Sequence, residues 1–256
     1  MKALECLIYI GGVRVLVVAD VHSNLDAFQS VINDAEKRGA IDAIWALGDL
    51  VGYGPEPGAC LALLRQYPHV AIGGNHDRAA CGQIGTQDFN AYAAAAAEWT
   101  AGALTEDEKA YLSALPDTVT DGDFTLVHGS LRDPIWEYVL SSDSASEHLD
   151  RQTTPYGLIG HSHLQLVFIE FERGRVRGSL MGDEDAVDLD ARRVVANPGG
   201  LGQPRDGDPQ TAYALLDRDD RRLTFYRVEY DIARVQKKMR MAGLPGYLIE
   251  RLSRGR

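Results

Sequence analysis

The sequence has few cysteines and no excess of positive charge, and both features exclude several classes of protein. Its three cysteines, Cys6, Cys60 and Cys81, are odd in number, and their spacing matches neither a disulfide framework nor a zinc motif. This scarcity favours a reduced, cytoplasmic protein. The formal net charge is −11 and no basic stripe is visible, so nothing in the charge pattern indicates duplex nucleic acid as a partner.

Long apolar runs are missing as well. No run reaches the length that a transmembrane helix needs, so we expect no membrane partner. The segment 4–10 is apolar apart from Glu5, and no small-residue cleavage site follows it. We therefore interpret residues 1–12 as an N-terminal extension and not as an export signal. A hydrophobic content of 45% is enough for one large core, which predicts a single domain over residues 1–256.

The first half of the chain alternates strand and helix patterns. Buried strands are predicted at 13–19, 43–47 and 70–72, with helices at 25–38 and 57–67 between them. This βαβαβ order predicts parallel strands joined by right-handed crossovers.

Residues 88–115 interrupt this alternation with an alanine-rich helix and a second, shorter helix. Thr105 and Glu108 provide a capping-box signature for the second helix. We interpret 88–115 as a helical insertion that either covers the site or packs on a sheet face.

The second half contains more strand patterns than helix patterns. A polar helix is predicted at 231–242, within a C-terminal helical tail that spans residues 231–256. Strands are predicted at 124–127, 156–159, 166–171, 176–180, 193–196, 212–216 and 223–229. Two packed sheets flanked by helices accommodate this pattern.

Five of the seven histidines lie in short motifs, each directly after a predicted strand. The motifs are Asp20-Val21-His22, Gly48-Asp49, Gly74-Asn75-His76-Asp77, His128-Gly129 and Gly160-His161-Ser162-His163. Strand ends are where an α/β fold brings together residues that are distant in sequence. Carboxylates, an amide and imidazoles in one place suit a pair of divalent metal ions.

Each motif alone also has an ordinary structural explanation. A Gly-Asp pair after a strand is often a turn in which the aspartate caps a helix, and His128 could be a hydrogen-bonded core residue. His161 and His163 are harder to explain by packing, since two histidines in a glycine-bounded turn rarely serve that purpose. The joint occurrence of all five motifs, in order and each after a strand, favours a metal site.

Taken together, the five motifs over residues 20–163 resemble those of the calcineurin-like metallophosphoesterase superfamily, in particular its small prokaryotic phosphodiesterase and diadenosine tetraphosphatase-like branch. The resemblance implies a four-layer α/β/β/α sandwich of two mixed sheets flanked by helices, with two metal ions at the strand ends. It also implies that His76 is a catalytic residue that faces the substrate phosphate. The implied metal ligands form two sets that share one carboxylate: Asp20, His22, Asp49 and His163 for one ion, and Asp49, Asn75, His128 and His161 for the other.

One motif departs from the phosphoprotein phosphatases of this superfamily, which extend Gly-Asp into Gly-Asp-x-Val-Asp-Arg-Gly. Here Gly52 replaces the aspartate that would orient the substrate-facing histidine, and Tyr53 replaces the arginine that would hold a phosphomonoester. A bidentate guanidinium is hard to substitute, so this departure argues against a protein phosphatase and favours phosphodiesters.

Three residues are predicted to contact the substrate. Asn24 belongs to a segment that resembles the Asp-x-His-Gly-Asn start of diadenosine tetraphosphatase-like proteins, and Tyr53 replaces the phosphate-binding arginine. Arg205 lies in a loop rich in glycine and proline, where a solvated surface charge is an equally good explanation. For Trp136 and Tyr138, packing is a simpler explanation than a base-stacking pocket.

The function implied by the resemblance is hydrolysis of phosphodiesters, nucleotides among them, by in-line attack of a hydroxide that bridges two divalent metal ions. Manganese is the metal expected by resemblance, with iron, nickel, cobalt and zinc left open. A dinucleoside polyphosphate hydrolase, a phosphomonoesterase and a catalytically inactive scaffold are the alternatives, and a homo-oligomer is left open. The complete ligand set and the presence of His76 argue against the scaffold.

Overall fold

A computed structural model describes residues 13–172, 174–190 and 192–256. Their strands form two six-stranded sheets. In spatial order, the first sheet contains β3 (His69–Ala71), β2 (Ala43–Ala46), β1 (Arg14–Val18), β11 (Thr211–Asp217), β12 (Arg222–Val228) and β9 (Ala186–Asp188). The second contains β4 (Thr118–Asp121), β5 (Phe124–Val127), β6 (Tyr156–Leu158), β10 (Arg193–Pro198), β7 (Gln165–Glu172) and β8 (Arg175–Leu180). The predicted extension over residues 1–12 lies outside the described residues.

Both sheets are mixed. Strands β1, β2 and β3 are parallel to one another, as are β5, β6 and β10, while the remaining neighbours pair antiparallel. The predicted βαβαβ order is therefore present in the first sheet. Because parallel strands end at the same edge of a sheet, the segments after β1 and β2 lie side by side.

Helices flank the two sheets. They are α1 (Leu25–Lys37), α2 (Pro57–Leu64), α3 (Asn75–Ala80), α4 (Ala91–Ala103), α5 (Glu106–Ser113), α6 (Ser142–Leu149), α7 (Ile232–Met241) and α8 (Gly246–Arg251), followed by the 3₁₀ turn Leu252–Arg254. The predicted capping box is present at α5, where Thr105 and Glu108 bond reciprocally. Among the residues that the structure describes, no helix is both long and apolar enough to span a membrane.

The core confirms the predicted four layers. Residues of β1 alternate between two hydrophobic clusters, as the period of a strand requires. Leu16 packs with Phe28 of α1 on the outer face of the first sheet. Val15 and Val17 point the other way and pack with Leu126 of the second sheet. A further cluster places α6 on the outer face of the second sheet, which completes an α/β/β/α sandwich.

The two helices of the insertion 88–115 pack in different places: Leu112 of α5 joins the core cluster on the outer face of the first sheet, whereas α4 lies beside the site. Helix α4 contacts α3, and Ala93 and Ala96 of α4 join a cluster with Val235 of α7 and Leu248 of α8. Helix α4 and the C-terminal helices thus form one apolar unit next to the strand ends that carry the motifs.

Candidate metal centre

The loops that carry the predicted ligands have strained backbones. Nine residues other than glycine have positive φ among those described, and five of them are predicted metal ligands: Asp20, His22, Asp49, His161 and His163. A left-handed backbone costs a non-glycine residue about 1–2 kcal/mol, and such strain is concentrated at functional sites. At these positions, the left-handed turns let successive side chains face the same point.

The first of two polar groups contains Asp20, His22 and His163, all buried. The Nε2 atoms of His22 and His163 are 3.2 Å apart. The Nε2 atom of His163 is 3.3 Å from Oδ1 of Asp20. Their ligand atoms therefore enclose a point where one cation fits.

The second group contains Asp49, His128 and His161. Nε2 of His128 is 3.2 Å from Nδ1 of His161 and 3.4 Å from Oδ2 of Asp49. The same Asp49 oxygen is 3.6 Å from Nε2 of His22 in the first group. Asp49 therefore lies between the two groups, where one carboxylate can serve two cations.

Backbone carbonyls fix the tautomer of all four imidazoles. The second ring nitrogen of each lies within 3.1 Å of a carbonyl oxygen, at His22–Val51, His128–Leu47, His161–Trp136 and His163–Gln203. A carbonyl only accepts, so these nitrogens carry the hydrogen and the remaining nitrogens direct lone pairs into the two groups. Lone pairs on two nitrogens 3.2 Å apart repel each other unless a cation lies between them. A ring N–H held by a carbonyl is typical of metal-binding histidines.

Unpaired oxygens provide a second indication of cation sites. Oδ2 of Asp20 and Oδ1 of Asn75 are buried and have no hydrogen-bond partner. A buried polar atom without a partner is costly. Asn75 lines the same cavity as Asp49 and His161. The seven predicted ligands thus come together at one place, and their nitrogen and oxygen donors suit divalent transition metals.

Burial and charge set the ionisation of the site. Burial lowers the pKa of His161 to about 3 and raises the pKa of Asp20 to about 7. Burial also opposes ionisation of Asp49, but the facing His128 and His76 hold the pKa of this carboxyl well below its usual range. Burial likewise opposes protonation of His128, yet the Asp49 carboxylate raises the His128 pKa to about 9. A proton on His128 and a cation beside it are alternative ways to balance Asp49.

His76 lies at the wall of the site, and its environment is aromatic. Its ring centroid is 4.3 Å from that of Tyr53 and 4.9 Å from that of Phe89. Nδ1 of His76 is buried without a partner, and a Cβ atom on Gly52 would lie 2.6 Å from it. Because Gly52 has no side chain, the His76 ring can occupy the space that a side chain at position 52 would fill.

Sequence reasoning missed several residues that hold the ligand loops in place. The Asp77 carboxylate accepts from the backbone N–H groups of Val51 and Gly74, both at 3.0 Å, and so joins two ligand loops. Asn197 donates to the carbonyl of Gly160 at 2.6 Å. Asp77 lies in the Gly-Asn-His-Asp motif, but only the folded chain reveals the partners of both residues.

The cavity beside the ligands has a volume of about 160 Å³, and Tyr53 and Arg205 line it. Phe89 and Asn90, at the start of the insertion, also line it, so the insertion lies over the site. The prediction for Asn24 is corrected, because this residue is 2% exposed and caps α1. Its amide nitrogen donates to the carbonyl of Gly202, so Asn24 holds two loops together instead of contacting substrate.

Trp136 and Tyr138 also line the cavity, although packing was the favoured explanation. The ring of Tyr138 stacks on His161 with centroids 4.1 Å apart, and 46% of the residue is exposed. Its outer face is therefore available to a ligand.

Comparison with known proteins agrees with this geometry. Residues 13–221 match the family model of the calcineurin-like phosphoesterase superfamily domain. An uncharacterised protein of Methanocaldococcus jannaschii is 34% identical, covering 94% of this chain and 98% of that protein.

Solved structures extend the comparison. A metallophosphoesterase from Sphaerobacter thermophilus is 42% identical with a TM-score of 0.88, over 96% of this chain and 100% of that one. A diadenosine tetraphosphatase-like structure shares the fold with a TM-score of 0.51 at 14% identity, over 87% of this chain and 96% of that one. By its motifs, its two metal-ligand groups and these matches, the chain belongs to the calcineurin-like phosphoesterase superfamily.

Proposed function

We propose that this protein is a metal-dependent phosphodiesterase whose site holds two divalent cations. The observation that carries the proposal is the pair of buried ligand groups on either side of Asp49. These groups open onto a cavity that His76 and Arg205 line. Manganese is the proposed metal, because imidazole and carboxylate ligands together suit it and the family resemblance favours it. The cytoplasm is the proposed location.

The cavity favours a diester over a monoester. Tyr53 lies where the phosphatases of the family have an arginine, and it is 6% exposed with its ring 4.6 Å from that of His22. Burial raises the pKa of the Tyr53 phenol, so it remains a neutral group. Arg205 is the one guanidinium among the residues that line the cavity in the described part of the chain. A diester carries one negative charge where a monoester carries up to two, and so needs fewer cationic groups.

The side chains of this protein would position the phosphate and donate hydrogen bonds to it. When bound, the metal ions would supply the nucleophile by lowering the pKa of water and would offset the charge on the phosphate oxygens. The buried Nδ1 of His76 has no hydrogen-bond partner, so the favoured neutral tautomer carries its hydrogen on Nε2 of a ring that lines the cavity. That N–H would donate to an oxygen of the phosphate or of the leaving group. Phe89 and Trp136, with ring centroids 5.1 Å apart, cover this point.

Turnover of bis(p-nitrophenyl) phosphate and of p-nitrophenyl phosphate by the manganese-loaded protein tests the proposal. We expect kcat/KM to be at least about tenfold higher for the diester, equal to a difference of about 1.4 kcal/mol in transition-state stabilisation. A preference for the monoester would identify a phosphomonoesterase instead. No turnover of either ester by protein that holds two metal ions per chain would indicate a scaffold.

A further inference from the structure

We infer that the groove next to the metal cavity is a second substrate subsite, which binds the nucleotide part of the substrate through a further phosphate and an aromatic base. The groove has a volume of about 460 Å³ and shares Tyr53, Asn90, Tyr138 and Arg205 with the metal cavity. A substrate held by its reacting phosphate at the metals would therefore extend into it. This inference rests on the proposed function for the identity of the reacting group.

Two arginines give the groove its charge. Arg205 and Arg251 both line it, and neither pairs with a side-chain carboxylate within 4.0 Å in the ranges that the structure describes. Nε of Arg205 is buried without a partner. Burial, and after it the charge of the neighbouring Arg205, lower the pKa of Arg251. Arg205 donates to Oε1 of Gln203 and Arg251 donates to the backbone oxygen of Arg256, which leaves further N–H groups on both. In a chain with a net charge of −11, two such arginines facing one groove fit an anion, and a phosphate accepts from guanidinium groups in bidentate fashion.

Tyrosines supply the aromatic surface. Tyr92, Tyr138 and Tyr247 are each about half exposed, and within the described residues they are the only tyrosines among the exposed large hydrophobic side chains. All three line this groove. The rings of Tyr92 and Tyr247 stack with centroids 4.8 Å apart, which gives a broad apolar face. Exposed aromatic faces beside cationic groups are how proteins bind nucleotide bases.

The groove combines elements that are distant in sequence. Tyr92 belongs to α4, Tyr247 and Arg251 belong to α8, and Arg205 follows β10. The insertion and the C-terminal helix therefore have a role beyond packing, because together they build this subsite next to the metal-binding loops.

Binding to the manganese-loaded full chain, measured by isothermal titration calorimetry at fixed free Mn²⁺, tests the inference. Three probes extend stepwise from the metals: inorganic phosphate, methylenediphosphonate, and adenosine 5′-(α,β-methylene)diphosphate. None has a P–O–P bond to hydrolyse, and only the adenosine compound keeps a P–O–C ester, so its integrity is checked after each titration. The wild-type protein should bind them with increasing affinity in that order.

Two variants separate the phosphate part of the subsite from the base part. Arg251→Gln should raise Kd about tenfold for both diphosphonates and less than twofold for phosphate. Tyr247→Ala should raise Kd about tenfold for the adenosine compound alone. Arg254→Gln, which removes the same charge from an exposed neighbour outside the groove, is the matched control and should change none of the three. Arg251→Lys keeps the charge and should raise Kd for the diphosphonates by less than Arg251→Gln does. It replaces Arg251→Gln in the test if that variant does not fold.

Equal effects of Arg251→Gln on all three probes, or no effect on any, would overturn the inference. If the proposed function were wrong but the subsite real, the protein would hydrolyse neither ester and the three probes would still show this pattern of affinities. Conversely, the protein could hydrolyse simple diesters and yet bind all three probes with equal affinity. That result would support the proposed function and contradict the nucleotide subsite.

Discussion

Individual residues at this site are constrained by close contacts as much as by metal-ligand chemistry. A Cβ atom on Gly74 would lie 2.1 Å from Oδ1 of Asp49, so only glycine allows this carboxylate its position. The candidate ligand residues could be picked out because each lies in a short local motif, and the structure brings them together. The carbonyls that orient them could not, since Trp136 and Gln203 reach His161 and His163 only through the folded loops.

Replacing His76 should separate catalysis from metal binding. We expect His76→Ala to lower kcat by about 10²–10⁴-fold, because the variant lacks the N–H that would donate to the reacting ester. The metal content should remain near two ions per chain, because none of the four tautomer-fixing hydrogen bonds involves the His76 side chain. Turnover and elemental analysis of the same preparation measure both quantities. Loss of both metals would show that His76 has a role in metal binding.

Gly52 should be nearly as sensitive as His76 although it has no side chain. A methyl group at this position would lie 2.6 Å from Nδ1 of His76, and Gly52 has a φ of +91°, which disfavours alanine. We expect Gly52→Ala to displace the His76 ring and to lower kcat by roughly 10²-fold.

The double variant tests this coupling. Gly52→Ala combined with His76→Ala should be no less active than His76→Ala alone, because both changes act on one group. Wild-type activity in Gly52→Ala, or additive losses in the double variant, would contradict the contact.

At the scale of elements, segments with a clear apolar pattern could be predicted, among them the three-residue strand β6 (Tyr156–Leu158). The sequence predicted β1, α1 and β2 to within a few residues, but missed β4 (Thr118–Asp121) and β9 (Ala186–Asp188). Both missed strands lie at sheet edges and bury few of their residues, so neither has an apolar pattern that stands out. Helix α3 was missed because it begins inside the Gly-Asn-His-Asp motif, which reads as a loop.

One buried histidine should make the loop after β5 sensitive to acid. Nδ1 of His148 accepts from the backbone N–H of Leu131 at 3.2 Å, and its Nε2 bonds to Gln152 at 3.0 Å. Burial lowers the pKa of His148 to about 4, from 6.5 in the unfolded chain. The unfolded state therefore takes up a proton first, so this contribution to stability is complete above about pH 6.5 and falls as the pH decreases towards 4.

The free energy of unfolding at pH 7.5 and pH 5 should reveal this effect. His148→Gln cannot take up the proton, so its stability should fall less between the two pH values than that of the wild-type protein. The metal ligands titrate in both proteins, and the comparison removes their contribution. Equal losses in the two proteins would show that His148 does not control the acid response.

At the scale of the whole molecule, the site depends on the meeting of two sheets that local sequence patterns do not specify. Strand β1 pairs with β11, almost two hundred residues away, and an isolated bridge joins Ala19 to Gly200 after β10. Layers and strand directions followed from patterns and family resemblance. The order of strands within each sheet could not be predicted, because it depends on contacts between distant segments.

Metal removal should therefore destabilise the entire domain. Each cation bound by the native state alone stabilises it by about 4.1 kcal/mol at a thousandfold excess over Kd, which corresponds to roughly 8–16 °C in Tm per cation for a chain of this size. We expect a chelator to lower Tm by an amount of this size and added Mn²⁺ to restore the original Tm.

Asp49→Asn is the matched control for this experiment. The neutral amide at position 49 is a weaker ligand than the carboxylate that both cations would share, so this variant should not hold the pair of metals. Its Tm should therefore respond little to the chelator. A wild-type Tm that is insensitive to chelation, in protein verified to have lost its metal, would contradict the link between the site and global stability.

The central claim is tested most directly by anomalous diffraction from crystals of the manganese-loaded protein. We predict two peaks roughly 3.5–4 Å apart, one between His22 and His163 and the other between His128 and His161, with Asp49 bridging them. A single peak, or peaks away from these residues, would contradict the two-cation site on which the proposed function depends.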